Sequence, residues 1–236
     1  MKEQALRYLE RDAVLYMGLI SPIKRDTADI LYAGQDGVFL RERESGVYMI
    51  DVCNLGKGKE LLDEIGKPVH ICIYKKEIAD YLNEKHGYKK YVENVQAAYM
   101  KAESVKLSSS GLEMQLLTLE QLEQVHAYYR DHLDYDYLKA RILRSAIYGG
   151  FLNGELCGFA GMHTEGAIGI LMVLEKFRGR GVAQELYGAL VNIMLEKGDI
   201  PYAQIEYDND ASLGLHRKLG FEVSEGTLYR LIGSAV

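Results

Sequence analysis

Between residues 168 and 198 the chain switches from a strand pattern to a helix pattern across one glycine-rich turn. Residues 168–173, Ile-Gly-Ile-Leu-Met-Val, are almost continuously apolar, which reads as a strand in the centre of a sheet. The turn ends in Arg178-Gly179-Arg180-Gly181-Val182-Ala183. Val182, Leu186, Leu190 and Met194 then recur every fourth residue ahead of Gly198, the pattern of an amphipathic helix with a glycine stop. A strand, a glycine turn and a helix in this order aim the free N–H groups of the loop and first helical turn at one point. The helix dipole adds partial positive charge there. Gly179 and Gly181 let a ligand approach the main chain, and Arg178 and Arg180 contribute full charges. Such a cradle suits a pyrophosphate. The dinucleotide fingerprint would need a glycine where Gln184 stands, and the P-loop's terminal Gly-Lys-Ser/Thr is absent.

The surrounding pattern extends this into a domain. Residues 114–117 read as a short strand and 119–143 as helix, broken into two near His132-Leu133-Asp134-Tyr135-Asp136. Strands at 147–152 and 156–162 are joined by Asn153-Gly154, a strong two-residue hairpin signal. After the helix come a strand at 202–207, helix-capping residues at Asp208-Asn209-Asp210, a short helix to Leu219-Gly220, and two short strands at 221–223 and 228–231. Residues 104–111, with Ser108-Ser109-Ser110-Gly111, read as a linker. The expected boundaries are therefore 1–103 and 112–236.

The first piece repeats this order in shorter form. A helix is expected at 5–17, strands at 30–33, 38–41 and 47–52, a glycine turn with Gly56 and Gly58, a helix at 60–65, a strand at 69–74 and a helix at 77–85 stopped by Gly87. Tyr81-Leu-Asn-Glu-Lys-His-Gly-Tyr88 and Gly214-Leu-His-Arg-Lys-Leu-Gly-Phe221 both close a helix with Lys-x-Gly-aromatic, as a degenerate internal duplication would.

The spacing Arg178-x-x-Gly181-x-Ala183 resembles the Gln/Arg-x-x-Gly-x-Gly/Ala motif of the GNAT superfamily of N-acetyltransferases. Asn209-Asp-Ala-Ser212 through His216 to Gly220-Phe221 resembles that family's second coenzyme motif. The resemblance spans about 114–232. It implies an α/β GNAT fold, a mixed and largely antiparallel sheet flanked by helices. With the duplication it implies two GNAT-like halves, the first silent, as in glycine N-acyltransferase-like proteins. The first half has Gly56-Lys57-Gly58-Lys59 where the cradle would be and lacks the motif spacing.

The resemblance also implies acetyl-CoA (coenzyme A) as co-substrate, held by Met172, Val173, Arg178, Gly179, Arg180, Gly181, Val182, Ala183, Asn209 and Ser212. An amine of a small molecule or peptide would attack the thioester directly, with the Val173 N–H polarising the carbonyl. The strands at 168–173 and 202–207 would be splayed, so that the pantetheine enters between them. His216 stands where the family often has a tyrosine that protonates the leaving thiolate, and it also reads as a structural histidine. Glu206, Glu165 and His163 are candidate bases. The tyrosine-rich, acidic segment 128–137 would line the acceptor pocket. The alternatives are O-acylation, a nucleotide-binding protein, and a non-catalytic acyl-CoA-binding regulatory or assembly module.

Composition narrows the setting. A net charge of -6 argues against nucleic acid, which calls for a basic face. Apolar residues at 48% and charged residues at 26% suit a soluble globular chain, and no apolar run approaches the ~18 residues that span a bilayer. Residues 1–13 lack the apolar core of a signal peptide. Cys53, Cys72 and Cys157 form neither a CxxC pair nor a metal cluster and read as buried free thiols of a cytoplasmic protein. A homodimer is compatible with these features.

Overall fold

A computed structural model describes residues 1–108, 111–129 and 134–233. Ser109 and Ser110 of the expected linker, and Arg130, Asp131, His132 and Leu133 of the tyrosine-rich segment, lie outside the described residues. The fold is mixed α/β, with helices flanking one seven-stranded and one four-stranded sheet.

The chain divides into two compact units that cut across the expected boundaries. One comprises 1–98, 204–214 and 222–236, the other 99–203 and 215–221.

The first unit starts with α1 (Lys2–Leu9) and α2 (Met17–Lys24), so the helix expected over 5–17 ends at Leu9 and a second one begins at Met17. The break follows a 3-10 turn over Glu10–Asp12, after which Asp12 Oδ1 accepts the Leu15 N–H at 3.0 Å. Then come β1 (Ala28–Ala33), β2 (Gly37–Glu42), β3 (Tyr48–Val52), α3 (Leu55–Ile65), β4 (His70–Ile73), α4 (Lys76–His86) and β5 (Lys90–Ala98). The core lies between α3 and α4 and the sheet, with Leu62, Ile71, Ile73 and Leu231 fully buried. β5 gives no sequence signal because its inward residues include the buried polar Asn94 and Gln96.

The expected glycine turn of this half is instead helix. Asn54 caps α3, its Oδ1 accepting the Lys57 N–H at 3.1 Å, so Gly56 and Gly58 are helical. Gly58 serves packing, since a Cβ there would meet Ile78 Cδ1 at 2.7 Å.

The second unit holds β6 (Glu113–Leu116), α5 (Leu122–Tyr129), α6 (Tyr135–Leu143), β7 (Ile147–Leu152), β8 (Glu155–Met162), β9 (Ile168–Val173) and α7 (Val182–Glu196). Asn153 and Gly154 join β7 to β8 with φ of 51° and 80°, the left-handed pair a two-residue turn needs. α7 packs on β7, β8 and β9. The expected linker is tied to α7, for Asn192 bonds both the N–H and the carbonyl of Val105 at 2.7 and 3.0 Å, and Ser108 donates to Glu185.

The four-stranded sheet runs β6-β7-β8-β9 and is antiparallel throughout. β9 is therefore an edge strand, not the central strand its apolar run suggests. Its last three residues are only half-buried.

β10 (Tyr202–Glu206), α8 (Asp210–Leu219) and β11 (Glu222–Ile232) complete the chain. The seven-stranded sheet has the order β1-β2-β3-β4-β11-β5-β10. β3 and β4 are parallel, while β11 is antiparallel to both β4 and β5. β11 is one strand where two were expected. At Ser224-Glu225-Gly226 the register shifts against β5, and the Ser224 hydroxyl accepts the Gln96 N–H at 3.0 Å, so the strand bulges without ending.

Candidate functional site

The cradle of the second unit follows from its local backbone. β9 ends in a short 3-10 turn at Glu175–Phe177 that buries Phe177 and turns the chain towards α7. Gly179 and Gly181 have φ of 73° and 81°, and Gly181 is the N-cap of α7. A Cβ at either glycine would meet nothing within 4 Å, so conformation and not crowding requires glycine here. The helix start has no side-chain cap. The first intrahelical bond runs from the Glu185 N–H to the Gly181 carbonyl, at 3.2 Å. The N–H groups of Val182, Ala183 and Gln184 thus face outward at the positive end of a 15-residue helix. Arg178 and Arg180 are exposed beside them, and the Arg178 Nε donates to the Val173 carbonyl at 3.1 Å.

That bond fixes the geometry of the β9 edge. The Leu174 N–H donates to Cys157 on β8, so in an alternating strand the N–H and C=O of Val173 point away from β8. The N–H of Leu171 shares that direction. Tyr129, from the tyrosine-rich segment, meets β9 here. The Tyr129 hydroxyl takes the Leu171 N–H and donates to the Gly169 carbonyl at 3.3 Å. Its ring packs on Phe159 at 5.8 Å, and burial raises its pKa.

The β8–β9 turn carries Glu165 and His163. Tyr137 OH lies 2.9 Å from His163 Nδ1 and accepts the Thr164 N–H at 3.3 Å. Arg141 clamps the same turn through the Met162 and His163 carbonyls, and Tyr202 donates to the Glu165 carbonyl at 2.8 Å. The Tyr137 pKa is raised by burial and then by the Glu165 charge. Of the four tyrosines in the tyrosine-rich segment, Tyr129 reaches β9 and Tyr137 reaches this turn.

His216 is only 3% exposed. Its Nε2 lies 2.6 Å from the Tyr187 hydroxyl, and its ring meets Phe221 edge-on at 5.0 Å. The imidazole is thus enclosed between Tyr187 and Phe221. Tyr187 on α7 had no sequence signal, being one more residue on an apolar face.

In the first unit, Asn209 caps α8. Its Oδ1 accepts the Ser212 N–H at 3.0 Å and its carbonyl accepts that of Leu213 at 3.0 Å. Glu206 is exposed at the end of β10. Met172, Val173, Arg178 to Ala183, Glu165 and His216 thus fall in the second unit, and Glu206, Asn209 and Ser212 in the first. Cys72 and Cys157 are buried free thiols, as expected, whereas Cys53 is exposed.

The left-handed glycines and the uncapped helix start lie within the Arg178-to-Ala183 motif. Residues 113–221 match the Acetyltransferase (GNAT) family. The GNAT segment thus runs from β6 to the end of α8, and the first 112 residues lie outside it. Solved structures with a similar fold cover nearly the whole chain. A putative GNAT acetyltransferase from Novosphingobium aromaticivorans superposes with a TM-score of 0.56 at 16% identity, over 94% of this chain and 97% of its own. A GCN5-related N-acetyltransferase-like protein from Streptococcus suis gives 0.56 at 18%, over 96% and 99%. A Drosophila protein gives 0.64 at 17%, over 83% and 74%. At these identities the likeness is one of GNAT fold. No curated protein matches the chain significantly. Among the described residues no helix is long and apolar enough to cross a membrane.

Proposed function

We propose that this chain is an acyl-CoA-dependent N-acetyltransferase acting on an amine of a small molecule or peptide. The observation that carries the reading is the uncapped start of α7, preceded by two left-handed glycines and flanked by Arg178 and Arg180. Three convergent N–H groups and two guanidiniums suit the coenzyme pyrophosphate. The outward N–H of Val173 suits the thioester, whose carbonyl it would polarise, while that of Leu171 is taken by Tyr129.

The amine nitrogen attacks the thioester carbon, the C–S bond breaks, and the sulfur leaves as thiolate. The surplus amine proton passes to a base, for which Glu165 and Glu206 are the exposed or half-buried carboxylates and His163 the imidazole held by Tyr137. The thiolate takes a proton, and the products are an amide and CoA. Because His216 is enclosed, its contribution is to hold Tyr187 and the packing of α7.

The enclosure of His216 also favours a second reading, a module that binds acyl-CoA without transfer. Calorimetric titration with acetyl-CoA, CoA, ATP and NAD separates the options, followed by a thiol-release assay with a panel of amines. One site per chain for acetyl-CoA and CoA, lost in a folded Gly181→Asp variant, is the expected result. Undiminished affinity in that variant sinks the cradle assignment, and tight binding without thiol release for any amine leaves the non-catalytic module.

A further inference from the structure

The first unit contains an open pocket of about 520 Å³ between α1 and the β1–β2 turn, lined by Glu3, Gln4, Arg7, Tyr8, Arg11 and Gln35 among others. This volume lies in the range of small-molecule sites, roughly 300–1,000 Å³. The pocket lies outside the GNAT segment and uses none of the residues assigned to the coenzyme. Gln4, Arg7, Tyr8 and Arg11 recur at three- and four-residue spacing, so one helical face and its continuation present them together.

The base of the pocket is fixed from within. Tyr8 is buried, and its hydroxyl donates to Oδ2 of the fully buried Asp51 at 2.7 Å. Arg11 is then held twice by Tyr8. Its guanidinium carbon stands 3.6 Å from the ring centroid, and its Nε donates to the Tyr8 carbonyl at 2.8 Å. The ring contact and the Nε bond restrain the guanidinium at two points, which leaves its two Nη groups as a fork for a ligand. Neither Arg11 nor Arg7 has a carboxylate partner among the described residues, although both line the pocket beside Glu3. Two guanidiniums against one carboxylate leave the rim cationic.

We propose that this pocket is a second ligand site, which takes the oxyanion of a small organic acid, a carboxylate or a phosphate group. The Arg11 fork binds it in two-point fashion, Arg7 supplies a second charge, and Gln4 and Gln35 bond the remainder of the ligand. Arg11 is exposed but held at two points, so it loses less further freedom on binding than an untethered surface arginine. The ligand is small because the pocket holds only about 520 Å³. The site is independent of the coenzyme reading.

Equilibrium dialysis of the full chain against labelled succinate, with inorganic phosphate as a parallel arm, tests this. At least one should bind saturably, the arm that binds naming the oxyanion. Arg11→Gln should weaken it about tenfold or more, the loss expected for a charge-assisted contact. Arg11→Lys, which keeps the charge but not the fork, should not restore it, and circular dichroism checks that each variant is folded. Gly181→Asp should leave this binding intact, which separates the pocket from the cradle. Saturable binding of neither anion, wild-type binding by Arg11→Gln, or loss of binding in Gly181→Asp would each overturn the proposal.

Discussion

At the scale of single residues, buried polar groups decide what is structural and what is open to chemistry. Tyr187 and His216 satisfy one another inside the second unit, and burial drives the Tyr187 pKa well above its usual value. Tyr187→Phe should strand the His216 ring nitrogen and cost about 1–3 kcal/mol in urea unfolding. If His216 is structural, that variant keeps the pH profile of any activity and loses stability. Tyr88 offers a pH test in the first unit. Its hydroxyl donates to the Pro68 carbonyl at 2.9 Å, and burial pushes its pKa up to about 12. The folded state then favours the neutral phenol, while the unfolded phenol ionises near 10. Its contribution is fully present below pH 10 and is lost as the pH rises towards 12. Denaturation midpoints should fall across that window, and Tyr88→Phe should flatten the fall while being about 1 kcal/mol less stable at neutral pH.

At the scale of elements, β9 is the strand on which the candidate site rests, and β8 sets its position. Gly158 faces Val173 across that pair, and a Cβ there would meet the Met172 carbonyl oxygen at 2.4 Å and the Val173 Cα at 3.2 Å. Backbone cannot yield as a side chain tip can, so Gly158→Ala should push the end of β9 outward. The expected result is several-fold weaker CoA affinity in calorimetry together with a lowered melting temperature. An unchanged affinity would mean that the coenzyme does not use the β9 edge. Gly179 and Gly181 behave differently, because open space surrounds them and only their positive φ resists substitution. Gly181→Ala should cost about 1 kcal/mol and still fold.

At the scale of the whole molecule, the segment 222–232 decides where the chain can be cut. β11 is the direct neighbour of both β4 and β5, and β5 has β10 on its other side. A fragment of residues 1–103 would lack both late strands and leave β4 and β5 with open edges in the middle of the sheet. It should be aggregated or unfolded when expressed alone, and co-expression with residues 104–236 should restore a soluble complex. A monomeric, cooperatively melting 1–103 fragment would instead support the division read from the linker.

The sequence by itself determined the local elements wherever a turn had a stereochemical requirement. The Asn153-Gly154 hairpin, the left-handed Gly87 after α4 and the Arg178-to-Ala183 turn into α7 all stand where residue type and spacing placed them. These features depend on backbone φ and on neighbours a few residues away, which a linear pattern records. Tertiary structure alone decided the rest. β9 reads as central from its apolar run and lies at an edge, because strand order depends on partners distant in the chain. β11 reads as two strands and is one, because Ser224 finds the Gln96 N–H on a strand 128 residues away. β5 carries no apolar alternation, since Asn94 and Gln96 are buried through cross-strand company. His216 matches the position of an acid but is enclosed, because Tyr187 comes from another helix. Tyr129 reaches the β9 edge by packing on Phe159. In each case the deciding contact is long-range, and a one-dimensional pattern holds no record of which distant group will complete it.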